Sequence, residues 1–450
     1  MRSKYQVYIS YKDSGVDWLG KVPEHWENHR IDWISKIIRG NTGFKKDELL
    51  DKGKYVALQY GKTYKVDEVN ETFKFYVNDE FYKLSQVVHG GDTILISTSE
   101  TIDDLGHSCF YNRDDLGLIG GEQILLKPYT KFAFGKYLYY SSVIFCNDLK
   151  KYATGLKVFR FSIDDLKNIF ISLPSLQEQQ TIANYLDKAT AKIDTLIEKQ
   201  TKLIELLKEK RQAVISTAVT RGLDSSVPMK DSGVEWLGEI PKHWISTKIK
   251  NMLSTPVTDG PHETPEFLYE GVPFVSAEAI SKGYINFNKI RGHISLEDNK
   301  KYSQKYSPKL HDVYMIKSGA TTGITAIVED RIDFNIWSPL AVFRANSRLN
   351  PYYLLNYLRS SNFQKAVELY WSYGTQQNIG MNVLENLDIS IPPIEEQNDI
   401  ANYLDDKISK IDNLITKATK AIDLLKERRT ALISAVVTGK IDVRENNEKD

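Results

Sequence analysis

Two long stretches of the chain repeat apolar residues every three and four positions, the pattern of an amphipathic helix packed along one seam. Ser175 with Glu178 forms a capping-box pattern that starts the first helix, which fades near Arg221-Gly222. The second helix follows Ile391-Pro392-Pro393 and fades near Thr438-Gly439. The predicted seam residues are Leu186, Ile193, Leu196, Leu203, Leu207, Leu404, Ile411, Leu414, Leu425 and Leu432.

The segment before each helix has the pattern of short strands separated by Gly, Asn and Asp turns. Strands are expected at 54–58 and 92–96, a helix at 134–145, and the run at 312–316 echoes the one at 92–96. The pattern predicts an α+β protein in four segments. They are a first β-rich domain at 1–173, a first helical spacer at 174–224, a second β-rich domain at 225–391 and a second helical spacer at 392–445.

The chain contains the same frame twice, at an offset of about 218 residues. Segment 12–20 recurs at 230–238 with one substitution, and segment 182–187 recurs unchanged at 400–405. The stretches between these matching segments barely resemble each other. A shared frame with divergent inserts indicates one scaffold that is used twice to present two different surfaces.

A heptad helix of roughly 40 residues, about 60 Å long, cannot bury its seam alone. The two seams match in length and position, so we expect the two helices to pack on each other. If a twofold rotation relates the two halves, the helices run antiparallel and the β-rich domains lie at opposite ends. The alternative is that each helix pairs with another protein or with a second copy of this chain.

Charge and cysteine content narrow the class of protein. The formal net charge is zero, which argues against a nonspecific polyanion binder but leaves room for a local basic groove. Cys109 and Cys146 form neither a metal-spaced cluster nor a disulfide framework. Together with a hydrophilic N-terminus and the lack of an apolar run that could span a bilayer, they predict a cytoplasmic protein.

Catalytic sequence signatures are missing. The chain has no GxxxxGK[ST] phosphate loop, no glycine-rich turn for a nucleotide or S-adenosylmethionine, and no HExxH metal spacing. Pro392-Pro393 lacks the preceding Asp or Asn and the following aromatic residue that amino-methyltransferases use. Jointly, these absences favour a binding protein without a metal or cofactor of its own.

The doubled order of motifs resembles the specificity subunits (HsdS) of type I restriction-modification systems. The frame SGVxWLGxxPxHW stands at 14–26 and 232–244, and a helix start of the form L/I-P-x-L/I-x-EQ-x-x-IANYLD stands at 173–187 and 391–405. Segment 258–265, TDGPHETP, also resembles a stretch common near the start of this family's recognition domains. The first half of the chain lacks that stretch.

The resemblance implies two β-rich target recognition domains separated by two long helices packed as an antiparallel coiled coil, in a pseudo-twofold tandem repeat. Each domain would read one half of a gapped, asymmetric site in double-stranded DNA. The helices would set the gap and dock two modification (methyltransferase) subunits, and two restriction (translocase and nuclease) subunits complete the family's complex. The chain itself would be noncatalytic, within an adenine-N6 DNA methyltransferase and ATP-dependent endonuclease whose S-adenosylmethionine, ATP and Mg²⁺ are bound by the partner subunits.

Candidate DNA contacts are polar and basic side chains on loops that could enter a groove. A basic, glycine-containing loop at 150–157 precedes Arg160, and an amide-rich loop at 373–378 stands at a similar distance before its helix. Loops at 97–99 and 317–323 follow equivalent strands, with an ordinary polar turn as the alternative for each. The candidates are Lys150, Lys151, Tyr152, Thr154, Lys157, Arg160, Ser97, Thr98, Lys317, Ser318, Thr321, Thr322, Tyr373, Thr375, Gln376, Gln377 and Asn378.

Other interpretations stay open at this point. One is an enzyme with recognition domains attached, and another is a helical scaffold or oligomerisation protein without DNA readout. His262 is interpreted as a turn residue rather than a base reader. The four tryptophans of the repeated frame are interpreted as packing anchors, namely Trp18, Trp26, Trp236 and Trp244.

Overall fold

The computed structural model of the chain describes residues 6–373 and 377–444. The chain divides into two compact units. The first is formed by Met1–Gln200 with Lys420–Asp450, and the second by Thr201–Thr419. The long helices span Leu176–Arg221 and Ile394–Val437, so each begins in one unit and ends in the other. The bounds of the four segments predicted from the sequence are not tested by this division into units and stay a prediction.

Unit 1 contains two mixed sheets whose central strands are largely buried. The first sheet has the order Ser35–Arg39, Gln123–Pro128, Thr93–Ile96, Ser108–Tyr111 and Glu68–Val69, and the second has the order Tyr76–Val77, Tyr55–Leu58, Gly117–Ile119 and Val87–Val88. Two-stranded pairs join Tyr11–Asp13 to Lys21–Pro23, Glu27–Arg30 to Phe170–Leu173 and Thr98–Ser99 to Phe159–Arg160. The shorter helices are Ile31–Ile34, Tyr60–Thr63, Gly135–Leu149 and Ile163–Lys167, with 3₁₀ turns at Lys46–Glu48, Asp79–Phe81, Leu84–Gln86 and Lys150–Tyr152.

Unit 2 repeats this plan with smaller sheets. A four-stranded antiparallel sheet has the order Thr258–Asp259, Leu340–Phe343, Val313–Ile316 and Thr325–Ile327, and a mixed sheet has the order His293–Ile294, Val272–Val275 and Asn335–Ile336. Two-stranded pairs join Met229–Asp231 to Glu239–Pro241, Ile245–Lys248 to Asp388–Ile391 and Ser372–Tyr373 to Gln377–Asn378. The shorter helices are Ala277–Ile280, Leu296–Ser303, Pro351–Arg359, Ser361–Leu369 and Met381–Asn386, with 3₁₀ turns at Ile249–Met252 and Phe287–Lys289.

The predicted α+β character is confirmed. The strands expected at 54–58, 92–96 and 312–316 are observed at Tyr55–Leu58, Thr93–Ile96 and Val313–Ile316. The helix expected at 134–145 is observed at Gly135–Leu149, four residues longer at its C-terminal end. Among the described residues, none of the helices combines the length and the apolar character that crossing a membrane requires.

Both long helices end where the sequence predicts. The first ends at Arg221 and the second at Val437. A glycine with a left-handed backbone stands directly after the first helix, Gly222 at φ +77°, and two residues after the second, Gly439 at φ +71°. A Cβ added at Gly439 would lie 2.2 Å from the Pro23 Cδ atom, so this position also needs glycine for close packing.

The start of the first helix differs from the predicted capping box. Ser175 does cap it, since its Oγ accepts a hydrogen bond from the Glu178 backbone N–H at 3.3 Å. The Glu178 carboxylate, however, accepts hydrogen bonds from Trp26 Nε1 at 3.1 Å and from the Tyr8 hydroxyl at 2.8 Å, and lies 2.9 Å from His25 Nε2. An unpaired hydrogen-bond donor costs more free energy when it is buried than when it is exposed. The Glu178 carboxylate therefore accepts from the two buried donors and not from the exposed start of the helix.

The same arrangement recurs in unit 2. Glu396 accepts a hydrogen bond from Trp244 Nε1 at 3.1 Å, and His243 Nε2 lies 2.8 Å from its second carboxylate oxygen. We refer to Glu178 or Glu396 with the tryptophan and histidine that it contacts as the carboxylate clasp. The clasp ties the motif that precedes each β-rich insert to the helix that follows it.

The glutamine after each clasp carboxylate fastens a second connection. Gln179 Oε1 accepts a hydrogen bond from the Phe134 backbone N–H at 2.8 Å, and its amide nitrogen donates to Phe132 and Pro174 carbonyls, both at 3.0 Å. Gln397 makes the equivalent three hydrogen bonds to backbone groups of Asn350, Arg348 and Pro392. The repeated glutamine therefore ties the start of an earlier helix, Gly135–Leu149 in unit 1 and Pro351–Arg359 in unit 2, to the start of the long helix.

Within each unit the two long helices run antiparallel. In unit 1 the Arg429 Nε atom lies 2.9 Å from Asp194 Oδ1, and in unit 2 the Arg211 Nε atom lies 3.0 Å from Asp412 Oδ1. An early residue of one helix thus meets a late residue of the other in both units. Each unit's core contains apolar residues from both helices, namely Ile182, Leu186, Ile433 and Val436 in unit 1 and Ile215, Val219, Ile400 and Leu404 in unit 2.

Of the ten predicted seam residues, seven are buried or partly buried and three are exposed. The buried or partly buried members are Leu186, Ile193, Leu207, Leu404, Ile411, Leu425 and Leu432. Leu196, Leu203 and Leu414 are 46%, 43% and 50% exposed. Each is followed by an isoleucine that is more buried, at 197, 204 and 415. Adjacent helical residues point about 100° apart, so only one of the two can face the partner helix.

Replacement of the clasp carboxylate should destabilise unit 1 more than unit 2. Glu178→Ala leaves the buried Trp26 N–H and Tyr8 O–H without an acceptor, and we expect a loss of about 3 kcal/mol in unfolding free energy. Glu396→Ala removes one buried donor's acceptor, and we expect about half that loss. Urea denaturation followed by tryptophan fluorescence measures both. Glu24→Ala, on an exposed side chain, is the control, and equal midpoints for all three variants would contradict the clasp's role.

The corrected seam makes a second prediction. Leu196→Gln should change the unfolding free energy by less than about 0.5 kcal/mol, whereas Ile197→Gln should lower it by about 1–2 kcal/mol because its side chain faces the helix pair. The same urea titration compares these neighbouring variants. A larger loss for Leu196→Gln would restore the original seam.

Candidate nucleic-acid interface

The central strand of unit 1 ends in a loop that is hydrogen-bonded to the predicted basic loop. The Ser97 carbonyl accepts a hydrogen bond from the Phe161 N–H at 3.2 Å, and Thr98 pairs with Arg160 in an antiparallel ladder. The two candidate segments of this half of the chain, which are distant in sequence, therefore lie side by side.

Unit 2 has the equivalent junction. The Lys317 carbonyl accepts a hydrogen bond from the Ile379 N–H at 2.9 Å, and Ser318 forms an isolated bridge with Asn378. We call the two joined segments, 97–99 with 150–161 in unit 1 and 317–323 with 371–379 in unit 2, the loop pair. Tyr373 and Gln377 take part through backbone pairing, whereas Thr375 and Gln376 lie outside the described residues.

A glycine shapes the tip of the unit 1 loop pair. Thr154 and Arg160 exchange two backbone hydrogen bonds of 3.0 Å, which close a tight hairpin. Gly155 has φ +114°, and a Cβ there would lie 1.9 Å from the Val158 carbonyl oxygen. The hairpin therefore requires glycine at this position. Beyond it the Leu156 side chain is 99% exposed at the tip.

The free positive charge of this hairpin is carried by Lys157 and Arg160. Both side chains are exposed and make no ion pair within the described residues. Lys151 instead pairs with Asp148, and that hydrogen bond raises the pKa of Lys151. Lys150 donates to the Asp103 carbonyl at 2.8 Å. Two of the four predicted cations are thus engaged within the protein, and two remain available to an anion.

The hydroxyl candidates differ from the prediction. The Ser97 and Thr98 side chains are buried inside the loop pair, so they do not face solvent. Thr322 uses its hydroxyl inside the turn, donating to the Gly319 carbonyl at 2.7 Å, while Thr321 is exposed. Polar residues directly after a buried strand can be buried with it, and the sequence pattern does not separate the two cases.

Other candidates fall on both sides of the prediction. Tyr152 is half exposed, and Lys317 is nearly buried. Trp26 and Trp244 are fully buried, and Trp18 and Trp236 pack against the cores, which confirms all four as packing anchors.

Leu156 was missed by sequence reasoning. Its signal was an apolar residue directly after the glycine of a basic loop, a position where a side chain cannot be buried locally.

The arrangement offers binding groups. Within residues 6–373 and 377–444, no group of three or more His, Cys, Asp or Glu side chains could hold a metal ion. Exposed guanidinium, ammonium and amide groups on loop pairs are suited to hydrogen bonds with phosphate oxygens and base edges. Each unit thus carries a candidate binding edge at the same place in its fold, with different side chains.

The doubled frame with two unlike loop pairs defines a class of protein that presents two recognition surfaces on one repeated helical scaffold. The family described as type I restriction modification DNA specificity domain matches residues 23–206 and 255–423. The chain belongs to this family.

Individual relatives extend over nearly the whole chain. The type I restriction enzyme MjaVIII specificity subunit of Methanocaldococcus jannaschii is 25% identical over 445 residues, 95% of each chain. The EcoKI specificity subunit of Escherichia coli is 20% identical over 94% of this chain and 90% of its own.

Solved structures share the fold. One, from a study of complex assembly and conformational transition of the type I restriction-modification system, has a TM-score of 0.64 at 20% identity and covers 92% of this chain and 98% of its own. The HsdS subunit from Thermoanaerobacter tengcongensis has a TM-score of 0.50 at 18% identity and covers 93% and 98%.

The unit 1 hairpin can be tested without a ligand. Gly155→Ala should open it, because the added Cβ would collide with the Val158 carbonyl. We expect amide hydrogen exchange at Thr154 and Arg160 to accelerate by at least about tenfold, with little change elsewhere. Gly43→Ala, where a Cβ has open space, is the matched control. Unchanged exchange at both amides would show that the hairpin does not depend on this glycine.

Proposed function

We propose that each unit of this specificity subunit reads one half of a gapped, asymmetric site in double-stranded DNA through its loop pair. The observation that supports this proposal is that equivalent positions of the two loop pairs hold different polar side chains. Arg160 pairs with Thr98 in unit 1, and Asn378 bridges Ser318 in unit 2. Arginine favours the guanine O6 and N7 acceptors, and asparagine favours the adenine N6 and N7 pair. Two units built alike would therefore select different bases.

Phosphate contacts would add affinity without selecting sequence. Lys157 is exposed beside Arg160 and carries no partner charge in the part of the chain that the structure describes. The fully exposed Leu156 could contact a thymine methyl group in the major groove. The zero net charge of the chain is compatible with a local excess of basic groups at such edges.

The long helices would dock two copies of the modification subunit. Unit 1 exposes Leu196 and Leu424, and unit 2 exposes Leu414 and Leu206. These pairs are equivalent in the repeated frame, so each unit offers the same two apolar side chains to a partner. Equal surfaces call for equal partners, and half-exposed leucines on a helix favour a helical one.

Recognition would belong to this chain and catalysis to its partners. S-adenosylmethionine-dependent adenine-N6 methylation would come from the modification subunits. ATP-driven translocation and cleavage, with Mg²⁺, would come from two restriction subunits. The helices would fix the gap between the half-sites, and the complex would work in the cytoplasm.

Methylome mapping tests the readers. In a host that expresses the chain with its modification subunit, the wild type should methylate adenines in both halves of one gapped motif. Arg160→Ala should relax one position in one half-site, and Asn378→Ala one position in the other, each with roughly a tenfold to hundredfold loss of base discrimination. Arg331→Ala, on an exposed arginine paired with Asp333, is the control and should leave the motif unchanged.

The outcomes separate the candidate functions. Loss of discrimination in the same half for both variants would contradict one reader per unit. An unchanged motif in both variants would remove these loop residues as readers. Adenine methylation that does not depend on the chain would favour a scaffold without DNA readout.

A further inference from the structure

The segment TDGPHETP at 258–265 has no part in the loop pair, yet it holds a concentrated charge cluster. Asp259 ends an edge strand that pairs with Leu340–Phe343, and its carboxylate is completely buried. The next residue is fixed by close packing, since a Cβ at Gly260 would lie 2.1 Å from the Ile336 carbonyl oxygen. The backbone that presents Asp259 is therefore held firmly.

Three nitrogen-bearing side chains surround this one carboxylate. Lys305 Nζ contacts Asp259 Oδ1 and donates to the Gly260 carbonyl at 3.0 Å. Lys317 Nζ lies 3.3 Å and His262 Nε2 3.0 Å from Asp259 Oδ2. Two lysines face one carboxylate, so the cluster carries excess positive charge even with a neutral histidine.

The cluster has an inner and an outer side. The Lys317 side chain is 11% exposed, whereas those of Lys305 and His262 are 45% and 69% exposed. Lys305 donates to Asp259 Oδ1 and to the Gly260 carbonyl, which uses two of the three hydrogens of its ammonium group. The third hydrogen of this exposed ammonium remains for another acceptor, and a charged N–H donor of this kind binds a phosphodiester oxygen.

The cluster adjoins the loop pair of unit 2. Lys317 belongs to both, because its side chain faces Asp259 while its carbonyl accepts the Ile379 N–H and its N–H donates to the Pro339 carbonyl at 2.8 Å. A duplex whose bases contact this loop pair would bring its backbone near Lys305 and His262.

Unit 1 places positive charge at the equivalent position by other means. In the sheet register, Arg39 lies opposite Ile124 as Asp259 lies opposite Ala341. Gly40 follows Arg39, and a Cβ there would lie 1.8 Å from the Gly120 carbonyl oxygen, so this glycine packs as Gly260 does. The Arg39 side chain is exposed and makes no ion pair within residues 6–373 and 377–444.

We propose that the residues around this repeated glycine hold one DNA backbone phosphate in each unit, Lys305 with His262 in unit 2 and Arg39 in unit 1. Asp259 is a positioning residue, which holds Lys305 and Lys317 in place. The inference rests on the proposed DNA-reading function and adds to it two contacts that fix register without selecting bases.

The salt dependence of binding measures such contacts. The full chain is assembled with its modification subunit, and its affinity for a duplex carrying the mapped motif is measured by fluorescence anisotropy from 50 to 300 mM salt. The slope of log K against log salt is negative, and loss of one phosphate contact reduces its magnitude by about 0.9. We expect this decrease for Lys305→Gln and for Arg39→Gln, about twice as much for the double variant, and an unchanged methylated motif.

Matched controls separate a phosphate contact from general damage. Lys301→Gln removes a lysine four residues before Lys305 that is paired with Glu263, and Arg331→Gln removes an exposed, paired arginine. Both should keep the wild-type slope. Lys305→Arg retains the charge and should restore the slope that Lys305→Gln loses.

Contrary results have distinct meanings. An unchanged slope in either Lys305→Gln or Arg39→Gln overturns the proposal for that unit, and weaker binding with an unchanged slope would make Lys305 a structural brace of Asp259. The Arg39 side chain is exposed and makes no ion pair in the described structure, so we expect its replacement to leave the fold intact and to test the unit 1 contact directly. Failure of the wild-type complex to prefer the motif duplex would remove the proposed function itself, and the phosphate contacts with it.

Discussion

One carboxylate per unit, Glu178 buried and Glu396 partly buried, holds the frame on which everything else depends. Glu178 binds Trp26 across 152 residues of sequence, and Glu396 binds Trp244 across the same separation. Each clasp closes a β-rich insert at its base, between the motif before it and the helix after it. Because the ends are fixed by the clasp and by the adjacent glutamine, the insert between them can change its strands and loops while the frame stays in place.

The frame could be predicted from sequence because its residues recur with their spacing intact. The helix ends, the strand at Thr93–Ile96 and the packing of the four tryptophans all follow from repeated motifs or from apolar runs. The seam phase could not be fixed, since Leu-Ile pairs such as 196–197 offer two apolar faces that differ by one residue. Tertiary packing decides between them, and no local pattern contains that information.

The candidate interface was predicted as two separate loops per half, and the structure joins them. Sequence reasoning found Arg160 and Asn378 but not the hydrogen bonds that place them beside Thr98 and Ser318. It also missed that Gly40 is the counterpart of Gly260. The surrounding letters differ, and only the sheet register aligns the two glycines. The backbone position of this glycine is therefore the same in both units, whereas the side chains around it differ.

The divergent inserts adapt to one invariant pair of charges in the frame. Arg429 and Arg211 occupy equivalent positions and pair with Asp194 and Asp412. In unit 1, Arg429 also binds Asp67 of the insert at 2.9 Å. In unit 2 the insert supplies a second cation, Arg359, whose pKa is lowered to about 10 by burial and by the charge of Arg211.

Arg359 remains protonated at neutral pH because a pKa of about 10 lies well above 7. Its buried guanidinium donates to the Gly283 carbonyl at 2.6 Å and to the Thr325 hydroxyl at 3.1 Å. The arginine on the long helix therefore lies at the same position in both units, whereas the insert residue near it differs, Asp67 in unit 1 and Arg359 in unit 2. The same logic extends to the loop pairs and to the repeated glycine. A constant backbone position is given an arginine in one unit and an aspartate with two lysines in the other. Recognition surfaces can then diverge freely, because the interactions that hold the fold lie in the frame and not in the residues that face outward.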